Sequence, residues 1–230
     1  MENVIVLNIQ FEYDGICHEI HPVILRNEAE IVLVDCGYPG FLDLISDELD
    51  KYDLSAEDLT AIYMTHQDDD HMGTAAEFKS KYPHIKIITS ELEAPYVSGE
   101  AKNLRLLQAE QMLEFLPENQ KDFGIAFCER LSKLQCVEVD QIVKGGDILN
   151  WAGGCEIIST PGHTPGHTSL YIKEEKVLIT GDAGVVENNE LVVANPQFCL
   201  DLENAEKSLE KIKKMDVETY ICYHGGILKK

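Results

Sequence analysis

Four side chains able to bind a metal fall within six residues: His66, Asp68, Asp70 and His71, in the run His66-Gln67-Asp68-Asp69-Asp70-His71. Imidazole and carboxylate are borderline-to-hard ligands and suit zinc, iron or manganese. Alternate residues of an extended segment point the same way, so His66, Asp68 and Asp70 are expected to converge. His71 joins them if the chain turns there, and Gly73 offers a permissive residue close by. Taken alone, the run would serve equally well as a solvated acidic loop. Three further places change the balance: His163 within Thr160-Pro161-Gly162-His163-Thr164-Pro165-Gly166-His167, Asp182 after Gly181, and His224 before Gly225-Gly226. Each lies at the end of an apolar, β-like run beside Gly or Pro, and strand-end loops can gather distant residues onto one rim of a sheet. A structural metal site is normally closed by four ligands and uses Cys readily, so this Cys-free set points to an open, reactive site.

The elements that must position these residues are legible as short runs. Apolar stretches at 4–9, 23–25 and 31–34 suggest an antiparallel meander. Residues 41–49 carry helical spacing, 59–64 form a β-like run into the His66 segment, 73–82 read as a helix stopped by Pro83, and 85–89 as a strand. Residues 91–135 are rich in Leu, Glu, Gln and Lys, with more apolar surface than one stripe requires. That stretch is expected to be a helical insertion, either a cover over the site that accepts an apolar group or a surface for core packing or dimerisation. β character returns at 136–139, 156–159, 169–172 and 176–180; a helix over 202–215 precedes a last strand at 219–223. Without a linker or repeat, this predicts one α/β domain over 1–230, with antiparallel or mixed sheets covered by helices.

Composition bounds the function. A chain of 230 residues can bury a sizeable core, and no apolar run approaches the length of a membrane span. The N-terminal sequence reads as a strand rather than a signal peptide, and seven scattered cysteines without a C-x-x-C pair read as reduced thiols, mostly buried as small hydrophobes. Both point to a cytoplasmic setting. A net charge of −22 argues against nucleic-acid substrates. The partners expected are a small-molecule substrate and, as the alternative use of the insertion, a second copy of the chain, with neither nucleic acid nor membrane.

Taken in order, Leu33-Val34-Asp35-Cys36-Gly37, then Thr65-His66 with Asp70-His71, then Pro161-Gly162-His163-Thr164-Pro165-Gly166-His167, then Thr180-Gly181-Asp182, then His224 at a final strand end, the sequence resembles the metallo-β-lactamase superfamily. The resemblance spans about Asp35 to His224. It implies a four-layer αββα sandwich of two mixed sheets flanked by helices, with the metals at one edge. It implies that His66, Asp68 and His163 hold a first divalent ion, that Asp70, His71 and His224 hold a second, and that Asp182 bridges them. Asp35 would orient the ligand loop and His167 would support it.

One departure stands out: the common motif has histidine where this chain has Asp68. An added carboxylate would make the site harder and more anionic, shifting preference from zinc towards iron or manganese. The resemblance implies a dinuclear hydrolase in which a metal-bound hydroxide attacks an ester, lactone, thioester or amide, with Asp70 orienting it and passing a proton to the leaving group. A carboxylate at position 68 also resembles the di-iron flavodiiron branch, so a redox centre acting on O2, NO or a sulfur compound is the alternative. The expected cofactors are two divalent ions, zinc first, with iron and manganese as alternatives.

Overall fold

The computed structural model describes residues 3–13 and 15–230. The N-terminal part runs β1 (Val4–Val6), β2 (Ile9–Tyr13), β3 (Ile16–Ile20), β4 (Val23–Arg26), β5 (Ile31–Val34), α1 (Leu42–Asp50) and β6 (Ala61–Met64). Next come α2 (Asp69–Met72), α3 (Ala75–Lys81), β7 (Lys86–Ser90), α4 (Ala94–Ser98), α5 (Leu104–Leu113), α6 (Lys121–Ser132) and β8 (Gln141–Val143). The C-terminal part holds β9 (Ile148–Leu149), β10 (Cys155–Ser159), β11 (Thr168–Ile172), β12 (Val177–Ile179), β13 (Val185–Glu187), β14 (Glu190–Val192), α7 (Leu202–Lys213), β15 (Thr219–Cys222) and β16 (Gly226–Lys229).

Two six-stranded sheets form, in the orders β1-β4-β5-β6-β7-β8 and β16-β15-β12-β11-β10-β9. Both are mixed: β5 to β8 run parallel while β1, β4 and β5 pair antiparallel, and β12 pairs β15 parallel inside an otherwise antiparallel sheet. The period-2 alternation of side chains sorts each strand between two cores. Val32, Val34, Ala61 and Tyr63 of the first sheet meet Ile157, Leu170, Ile172, Val177 and Ile221 of the second. The intervening Leu33, Ile62, Met64 and Ile87 face α1 and α3 through Leu42, Ile45, Leu49, Ala75 and Phe78. Tyr171, Leu178 and Tyr220 face Leu209 and Ile212 of α7. Helices therefore cover both outer faces, which gives the αββα sandwich. Strands buried on both faces read as unbroken apolar runs. A hydrogen bond of 2.7 Å between the Tyr63 and Thr168 hydroxyls fastens one sheet to the other.

Local readings fail in identifiable places. No strand forms over 136–139: the Val137 N–H donates to the Val97 carbonyl in α4, and the ladder begins only at Gln141. The hairpins β2–β3 and β13–β14 and the strand β16 are additions. Asn188 and Asn189 turn the β13–β14 hairpin with φ of 51° and 63°, the left-handed region that Asn tolerates. All seven cysteines are free, but only Cys36, Cys155 and Cys222 are buried; Cys17 and Cys136 are exposed. The 91–135 stretch folds as α4, α5 and α6, and α5 packs on α6 through Leu106, Ala109 and Leu131. Its surplus apolar residues split, with Phe115 85% exposed and Phe123 65% exposed. Among the described residues no helix is long and apolar enough to cross a membrane.

Candidate metal centre

Four strand ends deliver the candidate residues to one rim. β6 leads into His66 and Asp68, the β10–β11 loop carries His163, β12 runs into Asp182, and β15 ends before His224. Alternation accounts for only part of the first segment. Asp68 is extended, with φ −69° and ψ 151°, and occupies the N-cap of α2, so Asp70 and His71 project from a helical turn instead of continuing the extended run. Asp69 leaves the cluster altogether and faces Arg130 at 3.3 Å. Gly73 is needed for its bareness, not for an unusual φ: a Cβ there would lie 2.3 Å from the Asp69 carbonyl oxygen and 2.4 Å from Pro39 N.

Within each of three groups, His66–Asp68–His163, His66–His71–Asp182 and Asp70–His71–His224, the nearest ligand atoms all lie within 4.8 Å of one another. His163 Nε2 is 3.0 Å from Asp68 Oδ2, and His66 Nε2 is 3.5 Å from it. His224 Nε2 is 3.1 Å from Asp70 Oδ2. Asp182 faces both sides: Oδ1 is 3.4 Å from His71 Nε2 and 3.7 Å from His224 Nε2, whereas Oδ2 is 3.4 Å from His163 Nε2. His66 Nε2, His71 Nε2, Asp68 Oδ1 and Asp182 Oδ1 are buried without a hydrogen-bond partner among the described residues. Buried polar atoms are rarely left unpaired, and bound cations would satisfy these. The donor set therefore fits divalent metal.

The electrostatics agree. Burial works against charge on His163, but the carboxylates of Asp182 and Asp68 outweigh it and raise its pKa to about 10. Burial likewise opposes a charged His71, and Asp70, Asp35 and Asp182 override it. Asp182, which burial alone would push up, is held well below the usual range by His224, His71 and His163. Such a cluster stores protons that a bound cation displaces.

Supporting contacts fix the orientation of the candidate ligands. Asp35 adopts φ 60° and accepts the Thr65 N–H at 2.8 Å, the Thr65 hydroxyl at 2.9 Å and the His71 Nδ1–H at 2.8 Å, which leaves His71 Nε2 facing inward. His167 lies beside the cluster without joining it. Burial keeps its ring neutral, and its Nε2 accepts the Asp182 N–H at 2.9 Å. The Tyr223 hydroxyl points away from the ligand atoms, donating to the Asp70 carbonyl at 2.6 Å and accepting the Gly37 N–H at 3.2 Å. Gly162, at φ 139°, lets the His163 loop pass against α7, where a Cβ would come within 2.1 Å of Ala205 N.

Two residues at the site carry no signal in the sequence. Glu93 is fully buried and accepts the Gln67 N–H at 3.0 Å, the Thr164 hydroxyl at 2.6 Å and the Gly166 N–H at 2.8 Å, tying the His66 loop to the His163 loop. Arg105, from α5, is 3% exposed and donates to Asp68 Oδ2 through Nε at 3.1 Å and Nη2 at 2.6 Å. Burial pushes the Asp68 carboxyl up, yet Arg105 and the neighbouring histidines hold it well below its usual range. The expectation of a more anionic site at Asp68 is thereby corrected: an arginine from the helical insertion cancels that charge.

Known proteins share this fold. The family model for the metallo-beta-lactamase superfamily matches residues 19–224. The chain is 27% identical over 217 residues to a probable metallo-hydrolase of Bacillus subtilis, covering 84% of this chain and 75% of that protein. It is 26% identical over 161 residues to the hydroxyacylglutathione hydrolase GloC of Haemophilus influenzae, covering 70% of this chain and 64% of that protein. The crystal structure of a metallo-beta-lactamase family protein from Thermus thermophilus superposes with a TM-score of 0.75 at 20% identity, covering 100% of this chain and 75% of that one. The family model spans most of the chain, and the chain belongs to the metallo-beta-lactamase superfamily.

Proposed function

We propose that this chain, a metal-dependent hydrolase by family, cleaves an ester, lactone, thioester or amide of a small molecule at a two-metal centre. In this reading His66, Asp68 and His163 would hold one divalent ion, Asp70, His71 and His224 would hold the other, and Asp182 would serve both. The observation that carries it is the convergence of buried ligand atoms that have no hydrogen-bond partner among the described residues. Divalent ions bound there supply Lewis acidity towards a carbonyl and an activated water. The imidazole-rich donor set favours zinc first, then iron and manganese.

The chain's own side chains have separate tasks. Asp70 is the more accessible of the two inner carboxylates, its side chain 15% exposed against 4% for Asp182. It is the group to take a proton from the attacking water and return it to the leaving group. Asp35 and His167 hold His71 and the Asp182 backbone in orientation. The α5–α6 hairpin, which sends Arg105 to Asp68 and Arg130 to Asp69, is the element to cover a bound acyl group. The pairing of Asp68 with Arg105 offsets the added charge there, and hydrolysis is carried forward as the first reading, with di-iron redox chemistry as the alternative. A relative named for hydroxyacylglutathione hydrolysis supports a small acyl substrate.

The test is metal analysis of the purified protein, read as equivalents per chain, followed by turnover on esters, lactones, thioesters and amides. D182A is expected to lose metal and turnover together. Turnover lost with metal fully retained would refute the bridging role, and metal without turnover on any of these classes would refute the hydrolytic reading.

A further inference from the structure

Arg105 does more than neutralise one aspartate. Its two bonds to Asp68 both go to Oδ2, the same oxygen that His163 Nε2 and His66 Nε2 face. Nη2 also lies 3.1 Å from His163 Nε2. The guanidinium thus engages two of the three side chains that would hold an ion in the first half of the site. Its other edge is anchored, Nη1 donating to the Gln108 side chain and to the Phe198 carbonyl, with the Phe198 ring 5.4 Å from the guanidinium carbon. A guanidinium carries five N–H donors, is always charged and forms rigid planar pairs. Here all five are directed at protein atoms, so no donor is left to anchor a substrate anion.

The second half differs. Among the described residues no lysine or arginine pairs with Asp70 or Asp182, and His71 Nε2 faces carboxylate oxygens of both, at 3.7 and 3.4 Å. A divalent ion entering there meets only ligands. For an ion entering the first half, Asp68 keeps Oδ1 free among the described residues. That ion must still draw His163 Nε2 away from a buried arginine, and it brings a second positive charge beside the first.

We propose that Arg105 is a built-in cation that makes the two halves unequal: the first ion binds in the half formed by Asp70, His71, Asp182 and His224, and the half formed by His66, Asp68 and His163 fills second, against the charge of Arg105 and its contact with His163. This rests on the metal reading above and deepens it by setting the order of loading.

The test titrates metal-free protein with Zn2+, and separately with Mn2+, against a competing chelator, reading equivalents and affinities per chain. The unaltered chain is expected to take one ion tightly and a second at least tenfold more weakly. R105M, which keeps bulk and removes charge, is expected to tighten the weak step by about 10- to 100-fold, the range that neighbours of metal ligands command. H224A is expected to lose the tight ion, and H163A to keep it. Two ions of like affinity in the unaltered chain would overturn the proposal, as would an R105M titration unchanged from it. Loss of the tight ion in H163A with retention in H224A would overturn it without the arginine variant, so the test survives poor folding of R105M. Absence of any bound metal in the unaltered chain would instead refute the metal reading itself.

Discussion

Replacing Asp35 by asparagine changes one oxygen to an amide nitrogen and should weaken metal binding while the fold survives. Asn accepts the left-handed backbone that residue 35 adopts at φ 60°. The carboxylate receives donors on both oxygens: Thr65 N–H on Oδ1, Thr65 O–H and His71 Nδ1–H on Oδ2. An amide has one acceptor, so two orientations compete. With its NH2 towards His71, the ring must become an acceptor at Nδ1, and its proton moves to Nε2, the atom that faces Asp182 at 3.4 Å. A protonated Nε2 cannot ligate. With its NH2 towards Thr65, a buried backbone N–H loses its acceptor, at a cost of about 1–3 kcal/mol. The first orientation keeps the fold and damages the site, by about 10- to 100-fold in metal affinity, equivalent to roughly 1.4–2.8 kcal/mol. The second costs stability, about 2–4 °C in Tm per kcal/mol for a chain of this size. Chelator competition measures the affinity, urea melts of the metal-free protein measure the stability, and 15N chemical shifts report which His71 nitrogen carries the proton. D35N that binds metal as tightly as the unaltered chain, with His71 still protonated at Nδ1, would refute the account of Asp35.

Two further outcomes are expected. G162A should displace the His163 loop, because its Cβ would fall 2.1 Å from Ala205 N at a φ of 139°; a stability loss above about 2 kcal/mol with reduced metal retention is expected, and an unchanged melt would contradict it. Burial of Glu93 raises its carboxyl from 4.5 to about 7 against the bonds from Thr164, Gly166 and Gln67. Its folded-state pKa therefore exceeds the unfolded one, so the folded chain keeps a proton that the unfolded chain releases. Its contribution to stability is greatest below pH 4.5 and declines until the pH passes about 7, by about 3 kcal/mol in all. E93Q removes this group, so the difference in urea stability between the unaltered chain and E93Q should slope across that window; a flat difference would show that the buried carboxyl does not titrate there.

Much of the fold is legible locally. The runs that became β5, β6, β11, β12 and β15 stand out because both faces of these strands are buried, leaving no polar alternation to blur them. Phe41 to Leu49 and Leu202 to Ile212 show helical spacing because one face of each packs on a sheet. The elements missed are those whose residues face solvent or whose pairing is non-local. β2, β3 and β16 carry exposed positions, and nothing local separates Cys136–Val139 from the true edge strand that starts at Gln141.

The sequence by itself determined the family, the order of the candidate ligands and the strand ends that bear them. Each His or Asp sits beside the Gly or Pro that turns the chain, and that pairing is written in consecutive residues. The neutralisation of Asp68, the suspension of the His66 and His163 loops from Glu93, and the departure of Asp69 towards Arg130 were decided only by the tertiary structure. Arg105 lies 37 positions from Asp68 and Glu93 lies 71 from Thr164. Ion pairs and hydrogen bonds at such separations leave no period or spacing along the chain, because they depend on where packing lays one helix against one loop.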